Sequence, residues 1–548
     1  MHEIHSILPS EINFNQIKSV DGFDVITRDF PDYLTDESRF AAYPFDPLYF
    51  PNNEAELSAI LREMNRQKKP VTVAAARTGL VGGSVPTTGA VISLVKFDEI
   101  EAVYYCQDAE EWRIRAQPAV NLHVLNDLLK TRRSPALENH ANPVVEQDFY
   151  NFKQDPDKYF YPPDPTEMSA SIGGTVATNA SGARAYRYGP TRAWVRRIRV
   201  FLADGEYLDI PRGKYFASPG GQFTIFNSRG EGVTFNIPEY SLPKTKNAAG
   251  FYTAPQMDLI DLFIGSEGVL GVITRVEFAL LKREQKGSMI QFLESEKQAV
   301  LLTQTLRSDT RLRLDFIEFY SKNTLDLLRE QQKNISHTID LPEIPENARG
   351  ALFFEMDFDV DTGDKDLSIL EEVISGCGGD LTDSWVGFED REMEHFKAFR
   401  HQVPESINRI IAERKRKHPG IHKLGTDLAV PDQHLAEMWE LYSMQCEESG
   451  LEWYAFGHIG NNHIHVNIVP RDMTELHQGL ELFESFAKKA VELGGTVSAE
   501  HGIGKIKHKF LQMMYSAEEI DQMRRVKTTL DPNWILNRGN IFPFEEGK

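Results

Sequence analysis

The stretch PPDPTEMSASIGGTVATNASGARAYRYGPTR, residues 162–192, has an unusual composition for a folded chain. It is rich in glycine, alanine, serine and threonine and has few bulky apolar residues. Such a segment cannot supply a core, but its backbone can lie close against a large planar ligand. An irregular surface loop is the alternative interpretation, and the glycines Gly173, Gly174 and Gly182 argue against it.

A second glycine-rich turn, RTGLVGG at residues 77–83, lies between apolar runs at 71–76 and 90–95, behind a helix predicted to start after Asn53. A turn between strands lets backbone N–H groups approach an anion, and its arginine adds charge. A tight hairpin is the alternative. Because the turn lacks the GxGxxG pattern and no helix follows it directly, a Rossmann fold is disfavoured. The turn GSEGVLGVIT, residues 265–274, is a weaker sign of a ligand or a close backbone contact.

The chain has 548 residues, too many for one ordinary core, so two or three domains are expected. The pattern changes near residue 285, where helical stretches begin to alternate with strand-like runs. A long polar stretch at 131–165 is interpreted as an insertion or a lid. We divide the chain into an N-terminal segment, a first domain, a second domain and a C-terminal segment, at residues 1–44, 45–284, 285–495 and 496–548.

The charge and the cysteines exclude several classes of protein. The formal net charge is −21, from 81 acidic and 60 basic residues, which argues against binding to nucleic acid or broadly to anionic membranes. Cys106, Cys377 and Cys446 are too far apart for a disulfide framework or an iron–sulfur cluster. With no apolar run of about 18 residues and no secretory signal, a cytoplasmic protein is favoured; association with an inner membrane stays open.

Histidines are concentrated in FGHIGNNHIHVNI, residues 456–468, and SAEHGIGK, residues 498–505. His458 and His465 are predicted to lie at the end of one strand and the start of the next, where two imidazoles can share a divalent ion. Glu500 can add an oxygen ligand, and the neighbouring His501 is a natural general base. A polar hairpin with incidental histidines is the alternative interpretation.

Two basic residues of the second domain stand in polar surroundings. Arg400 precedes a predicted helix, and Lys423 precedes the strand-like LGTDLAVP. Each is a candidate for pairing with a substrate carboxylate. Taken alone, each is better explained as a solvated surface charge.

Together these segments resemble the FAD-linked oxidoreductases of the vanillyl-alcohol-oxidase superfamily, which have a PCMH-type FAD-binding domain. The closer resemblance is to the branch of D-lactate, glycolate and D-2-hydroxyglutarate dehydrogenases. It runs from about residue 45 to residue 543 and rests on ordered motifs: TGLVGGSVP, PPDPTEMSASIGGTVATNASGARAYRYGPTR, LFIGSEGVLGVIT, GHIGNNHIHVN, SAEHGIGK and LDPNWILNRGNIF.

The resemblance implies an α+β fold: a two-lobed FAD-binding domain, a ferredoxin-like α+β cap domain with a metal site, and a C-terminal helical segment returning to the FAD domain. FAD is expected to be non-covalent, because no histidine lies in the 77–83 loop. The residues implied to hold FAD are Ala75, Ala76, Arg77, Thr78, Gly79, Pro165, Gly173, Gly174, Thr178, Asn179, Gly182, Gly189 and Ile273. The resemblance also implies His458, His465 and Glu500 as ligands of zinc or manganese, His501 as base, and Arg400 and Lys423 as carboxylate-binding residues.

The sequence departs from the family pattern at three places. Val73–Arg77 stand where the family has a proline, an arginine and three glycines. The resemblance implies that the loop at 75–79, the candidate phosphate loop, holds the pyrophosphate, and its alanines present their N–H groups less closely than glycines would. The family's GDGNLH is GNNHIH, so His463 replaces an asparagine and is either an extra ligand or a substrate contact. The late NPGK is NRGN, at 537–540. The resemblance therefore does not specify which hydroxy acid is the substrate.

The expected activity is oxidation of a small D-2-hydroxy acid to the 2-oxo acid by hydride transfer to flavin N5, with electrons leaving to a quinone, cytochrome or electron-transfer protein. A homodimer and a complex subunit both stay open. The alternatives are an alkylglycerone-phosphate synthase-like transferase, a flavin-binding subunit that is inactive alone, and a metal-dependent hydrolase without flavin. The transferases carry a run of histidines where this chain has Ala499-Glu500-His501, and a carboxylate there favours a metal site.

Overall fold

The computed structural model describes residues 12–334, 343–358 and 363–543. Its strands are β1 (Ser19–Val20), β2 (Leu48–Tyr49), β3 (Val71–Ala74), β4 (Ala90–Ser93), β5 (Ile100–Cys106), β6 (Glu111–Ala116), β7 (Tyr159–Phe160), β8 (Val195–Phe201), β9 (Tyr207–Pro211), β10 (Gln222–Phe226), β11 (Gly232–Asn236), β12 (Val272–Ala279), β13 (Leu281–Lys282), β14 (Lys286–Leu293), β15 (Leu314–Ser321), β16 (Gly350–Asp357), β17 (Ser384–Gly387), β18 (Leu424–Gly425), β19 (Trp453–Gly457) and β20 (His465–Ile468). Its helices are α1 (Phe23–Asp29), α2 (Glu54–Gln67), α3 (Leu122–Thr131), α4 (Pro135–Glu138), α5 (Pro143–Gln154), α6 (Ile172–Ala177), α7 (Ala185–Tyr188), α8 (Leu259–Phe263), α9 (Glu296–Ser308), α10 (Lys322–Asn334), α11 (Gly363–Gly376), α12 (Asp390–Lys415), α13 (Leu435–Ser449), α14 (Met473–Glu492), α15 (His508–Met514) and α16 (Ala517–Leu530).

The first lobe is a four-stranded sheet in the order β1-β2-β4-β3. Helix α2 begins where the periodicity predicts, with the Asn53 side chain accepting a hydrogen bond from the Glu56 N–H. Strands β3 and β4 are parallel neighbours, with Val71 opposite Ala90. The hairpin interpretation of the turn between them is therefore wrong, because adjacent parallel strands require a longer crossover than a hairpin.

The second lobe is an antiparallel sheet in the order β5-β6-β12-β8-β9, and the stretch 162–192 packs beside it. Helix α6 lies in this stretch and is capped by Ser171, whose hydroxyl accepts from the Gly174 N–H. A Cβ atom on Gly173 would lie 2.3 Å from the Pro118 side chain, and one on Gly182 would lie 2.0 Å from the Asp164 carbonyl oxygen. Glycine is needed where these backbones meet, so the surface-loop interpretation is wrong.

The polar stretch between α3 and β7 forms the two helices α4 and α5. Phe149 and Phe152 of α5 are buried, and Phe152 packs edge-on against Trp112 of β6 with ring centroids 4.9 Å apart. Arg132 extends this packing, with its guanidinium 3.7 Å from the centre of the Phe152 ring. The stretch is part of the core of the second lobe, so the lid interpretation is wrong.

The cap is a seven-stranded antiparallel sheet in the order β17-β14-β16-β15-β19-β20-β18. Its first four strands have the ferredoxin-like arrangement, since β14 and β15 are joined by α9 and β16 and β17 by α11. Alternate residues of β16 face opposite cores: Leu352 and Phe354 join the core with α9, whereas Phe353 packs with Phe399 of α12.

The C-terminal segment returns to the first lobe. Leu536 forms a bridge with Val71 of β3, and the Asn537 side chain accepts a hydrogen bond from the Val73 N–H at 2.8 Å. Lys527 of α16 is buried and donates to the Val269 carbonyl oxygen at 2.7 Å. Across the described ranges, no helix is both long and apolar enough to cross a membrane.

Candidate functional site

The turn between β19 and β20 gathers three histidines. It leaves β19 at Gly457, whose φ is +122° and where a Cβ atom would lie 2.7 Å from the His465 ring. The close approach therefore requires glycine at this position. The rings of His458, His463 and His465 lie with their centroids 4.3 to 5.5 Å apart.

The SAEHGIGK loop brings a carboxylate to these histidines. One ligand atom from each of His458, His463, His465 and Glu500 lies within 4.8 Å of the others. The structure thus brings together the three residues predicted to bind a metal and adds His463. A charged carboxylate among three imidazoles is a donor set that suits a divalent transition metal, so these residues fit the ion that the sequence implies.

Two histidines of this cluster are oriented by acceptors on the side away from Glu500. His458 Nδ1 lies 2.6 Å from Glu318 Oε1, while its Nε2 lies 3.3 Å from Glu500. His465 Nδ1 lies 2.9 Å from the Thr426 carbonyl oxygen, while its Nε2 lies 3.9 Å from Glu500. An acceptor behind each imidazole is the usual arrangement around metal-binding histidines, because it fixes the ring and its tautomer.

Asp427 holds the loop that carries Glu500 and His501. Its completely buried carboxylate accepts from the backbone N–H groups of Ala499, Glu500 and His501 at 3.0 to 3.2 Å. It also accepts from Lys507 Nζ at 2.7 Å. Burial opposes ionisation of Asp427, but His501 and the Lys507 ammonium beside it outweigh that effect and hold the pKa of Asp427 well below the usual range.

The predicted base His501 lies beside the histidine cluster. Its Nδ1 is 3.4 Å from Asp427 Oδ2, and its ring stacks on His465 with centroids 5.9 Å apart. Burial lowers the pKa of His501 below its ordinary value, although Asp427 opposes the shift. A neutral imidazole can accept a proton, so the position suits a general base.

Charge compensation explains how the buried Glu500 stays ionised. Burial would raise its pKa, but Lys246 and the histidines hold that pKa well below the usual range. The Lys246 ammonium donates to Glu500 Oε1 and also to the Gly182 carbonyl oxygen at 3.3 Å. Lys246 therefore links the 162–192 stretch to the cluster.

The two predicted carboxylate-binding residues differ in their surroundings. Arg400 lies inside α12, so the expectation that it precedes a helix is wrong. Its guanidinium lies 3.1 Å from Glu318 Oε1 and 3.4 Å from the Thr166 hydroxyl. Lys423 directly precedes β18, as predicted, and forms no hydrogen bond or ion pair with the cluster within the described part of the chain. Burial lowers the pKa of Lys423, and Glu37 is the carboxylate that faces it.

Sequence reasoning missed Lys246, Glu318 and Asp427. Glu318 stands between apolar residues in FIEFY and Asp427 directly before them in DLAV, and a charge in such an apolar run was the available signal. Lys246 lies in a loop-rich stretch, and no sequence pattern marks it.

The glycine motifs of the first half converge on the same region. The Glu267 N–H of GSEG donates to the Ala177 carbonyl oxygen of α6 at 2.8 Å. The Glu267 carboxylate accepts from the N–H groups of Ile503 and Gly504, both at 2.7 Å. The Lys505 N–H donates to the Val81 carbonyl oxygen at 2.8 Å. Hydrogen bonds therefore connect the candidate phosphate loop, the 162–192 stretch and the SAEHGIGK loop into one surface.

In the candidate phosphate loop, residues 75–79, the backbone N–H groups are free to bind an anion, whereas the arginine side chain is already engaged. Among the described residues, the N–H groups of Ala75 to Gly79 donate no hydrogen bond within the protein. Such a run of free donors fits a pyrophosphate. Arg77 has φ +59°, and its guanidinium lies over the Tyr33 ring and donates to the Ala75 carbonyl oxygen at 2.9 Å. The remaining FAD candidates lie in and beside α6, α7 and β12, at Pro165, Gly173, Gly174, Thr178, Asn179, Gly182, Gly189 and Ile273.

Comparison with known proteins agrees with this arrangement. Residues 46–143 and 153–211 match the FAD binding domain family, and residues 282–541 match the family "FAD linked oxidases, C-terminal domain". A solved structure of 4-ethylphenol oxidase from Gulosibacter chungangensis, in complex with isoeugenol, has a TM-score of 0.61 at 14% identity and covers 95% of this chain and 94% of its own. The predicted α+β fold with a PCMH-type FAD domain is confirmed.

Three curated relatives align over most of their length. The glycolate oxidase subunit GlcD of Bacillus subtilis is 26% identical over 91% of this chain and 89% of its own length. A D-lactate dehydrogenase of Archaeoglobus fulgidus is 27% identical, over 90% of each chain. A D-2-hydroxyglutarate dehydrogenase of Xanthomonas citri pv. viticola is 25% identical, over 90% of this chain and 88% of its own.

The fold and the paired domain matches define a flavin-dependent oxidoreductase. The chain belongs to the FAD-linked oxidases, in the branch that contains the glycolate oxidase subunit, D-lactate and D-2-hydroxyglutarate dehydrogenases. The predictions of an FAD cofactor and of an oxidoreductase are confirmed.

Proposed function

We propose that the chain is an FAD-dependent dehydrogenase that oxidises a D-2-hydroxy acid to the 2-oxo acid. The observation that carries the proposal is the cluster of His458, His465 and Glu500 with His501 beside it, in a chain whose relatives are named for glycolate, D-lactate and D-2-hydroxyglutarate. FAD, when bound, accepts the hydride from the substrate C2 at its N5 atom.

His458, His465 and Glu500 are the proposed ligands of a divalent ion, zinc or manganese. Such an ion, when bound, acts as a Lewis acid toward the substrate hydroxyl and lowers its pKa. Glu318 and the Thr426 carbonyl oxygen support this role, since each holds the Nδ1 side of a ligand histidine and turns the Nε2 side toward Glu500.

His501 is proposed to remove the proton of the substrate hydroxyl. With Nδ1–H directed at Asp427, Nε2 is left as the acceptor of that proton. The Asp427 carboxylate then faces the imidazolium that forms and stabilises it. Because Asp427 also binds the backbone of residues 499–501, it fixes the position of the base as well as its tautomer.

Arg400 and Lys423 are proposed to bind the substrate carboxylate. The pKa of Arg400 is raised above its ordinary value, since Glu318 outweighs the effect of burial, so the guanidinium stays charged. Glu318 engages the guanidinium through Nη2, which leaves other N–H groups for a carboxylate. Lys423 offers an ammonium whose burial favours release of its proton unless an anion is bound.

The flavin is proposed to be reoxidised by an external acceptor, a quinone, cytochrome or electron-transfer protein. The sequence has no second cofactor motif that would take the electrons. A cytoplasmic location, with or without peripheral association with an inner membrane, is part of the same proposal. Homodimer and complex subunit remain alternatives for the assembly.

The test is a panel of D- and L-2-hydroxy acids assayed with an artificial dye as electron acceptor, before and after treatment with a chelator. The proposal predicts dye reduction with at least one D-acid, loss of the rate after chelation and its return when zinc or manganese is added. FAD-loaded protein that reduces no dye with any acid would instead support a subunit that is inactive alone. Full activity after complete removal of metal would refute the metal site.

A further inference from the structure

We infer that His463 is a further protein ligand of the divalent ion, so that three imidazoles and one carboxylate bind it. The inference rests on the proposed metal site at His458, His465 and Glu500 and goes beyond it. At this position the family pattern has asparagine, so the resemblance does not supply this ligand.

The inner ring nitrogen of His463, Nδ1, is buried without a partner from the protein. The side chain is 0% exposed, and Nδ1 forms no hydrogen bond with any described residue. Buried polar atoms without partners are rare, because water is lost and nothing replaces it. His463 Nδ1 lies 4.0 Å from Glu500 Oε1 and points into the cluster. That distance is too long for a hydrogen bond and suits two atoms that ligate one ion.

The outer ring nitrogen of His463, Nε2, faces an acceptor, as the outer nitrogens of His458 and His465 do. His463 Nε2 lies 3.3 Å from Asp427 Oδ1, on the side away from Glu500. His458 has Glu318 in the same relation and His465 has the Thr426 carbonyl oxygen. All three imidazoles thus turn one nitrogen toward Glu500 and the other toward an acceptor, as metal-binding histidines do.

Glu500 can join this ion while it keeps its contact with Lys246. The Lys246 ammonium lies against Oε1, and Oε2 faces His465 Nε2 at 3.9 Å. A carboxylate with two oxygens can divide them between an ammonium and a metal ion. Glu500 can therefore bind the Lys246 ammonium and the metal ion at the same time.

The extra ligand has a chemical consequence for the ion and the substrate. Four protein ligands fill every position of a tetrahedral ion, but they leave two positions open on a six-coordinate ion. A 2-hydroxy acid needs two open positions, one for a carboxylate oxygen and one for the hydroxyl oxygen. Three imidazoles also favour Co²⁺ over Mn²⁺, which prefers oxygen ligands. Replacing His463 by asparagine should therefore weaken binding of Co²⁺ more than binding of Mn²⁺.

The experiment measures metal affinity rather than turnover. FAD-loaded protein freed of metal by a chelator is titrated calorimetrically with CoCl₂ and, separately, with MnCl₂, for wild type, His463→Asn and the surface control His477→Asn. We expect His463→Asn to bind Co²⁺ about tenfold to 100-fold more weakly, with a smaller change for Mn²⁺. His477→Asn should match wild type. Co²⁺ binding of wild-type strength by a His463→Asn protein with full FAD content would overturn the inference.

A second measurement on wild type keeps the inference testable if the variant does not fold. X-ray absorption of the Co²⁺-loaded holoenzyme counts the imidazoles bound to the ion. Three imidazoles are expected, and two would overturn the role of His463 while leaving the proposed metal site intact. A wild-type protein that binds neither ion would overturn the metal site and this inference together.

Discussion

His501 Nδ1 lies 3.4 Å from Oδ2 of Asp427, a carboxylate that is completely buried. Asp427 follows β18 by two residues, and it binds the SAEHGIGK loop, residues 498–505, through three backbone N–H groups. One carboxylate therefore determines both where the proposed base lies and which of its nitrogens is free.

Replacing the proposed base His501 should lower turnover without lowering FAD binding. A well-placed general base contributes roughly 10²–10⁴-fold to the rate, so His501→Ala should lose about that much in kcat. FAD content and melting temperature should stay close to wild type, because the His501 side chain is 26% exposed and lies outside the apolar clusters of the described residues. Steady-state kinetics of the yellow protein provide the measurement, with His477→Ala as control. A variant that turns over at nearly the wild-type rate would contradict the role of His501.

Replacing Asp427 should affect stability and activity for different reasons. Asp427→Asn leaves the Lys507 ammonium buried without its carboxylate, and breaking such a pair costs about 3–5 kcal/mol. The melting temperature should fall, and kcat should fall by about tenfold or more because His501 loses the partner that orients it.

The double variant Asp427→Asn/Lys507→Met isolates the two effects. It removes the unpaired ammonium, so part of the lost melting temperature should return while kcat stays low. If kcat returned together with stability, Asp427 would act only as a structural residue.

Arg400→Lys tests carboxylate binding without removing the charge that Glu318 requires. A lysine keeps one positive charge beside Glu318 but cannot present the planar fork that binds a carboxylate with two hydrogen bonds. KM for the hydroxy acid should rise by about tenfold or more, with little change in FAD content. Unchanged KM with lowered melting temperature would show that Arg400 serves Glu318 alone.

Glu267 should make stability depend on pH. Its burial outweighs the N–H groups of Ile503 and Gly504 and raises its pKa from 4.5 to about 7. A carboxyl whose pKa is raised on folding stabilises the folded state below its unfolded pKa, and that contribution is lost as pH rises through the folded pKa.

Between pH 4.5 and pH 7.5 the free energy of unfolding of wild type should therefore fall by about 3 kcal/mol relative to that of Glu267→Gln. Melting temperatures of both proteins across this range provide the measurement, with the exposed Glu481→Gln as control. Parallel pH profiles for wild type and Glu267→Gln would contradict the raised pKa.

Local sequence patterns were sufficient to predict the elements whose determining residues lie close together in the chain. The spacing of Leu57, Ile60 and Leu61 behind Asn53 predicts α2, because the apolar face and the cap both lie within the helix. His458 and His465 were predictable neighbours, since seven residues across a short turn bring the ends of paired strands together.

Other features depend on contacts between distant residues. The parallel pairing of β3 with β4 is set by the sheet around them, whereas the local pattern of two apolar runs and a glycine turn also fits a hairpin. Glu318 is 140 residues from His458, and only the register of β15 against β19 brings them together. Arg400 lies inside α12 although Pro404 lies in the same helix, because packing of Phe399 and Val403 on the sheet outweighs the local break.

Oxidation of a D-2-hydroxy acid by the bound flavin can be observed in a single turnover. The purified, metal-loaded holoenzyme is mixed anaerobically with single D- and L-2-hydroxy acids while the visible flavin absorption is followed. We expect at least one D-2-hydroxy acid to bleach the flavin while its L-enantiomer does not. The 2-oxo acid should form in an amount equal to the FAD reduced. A flavin that stays oxidised with every acid in the panel would contradict the proposed activity.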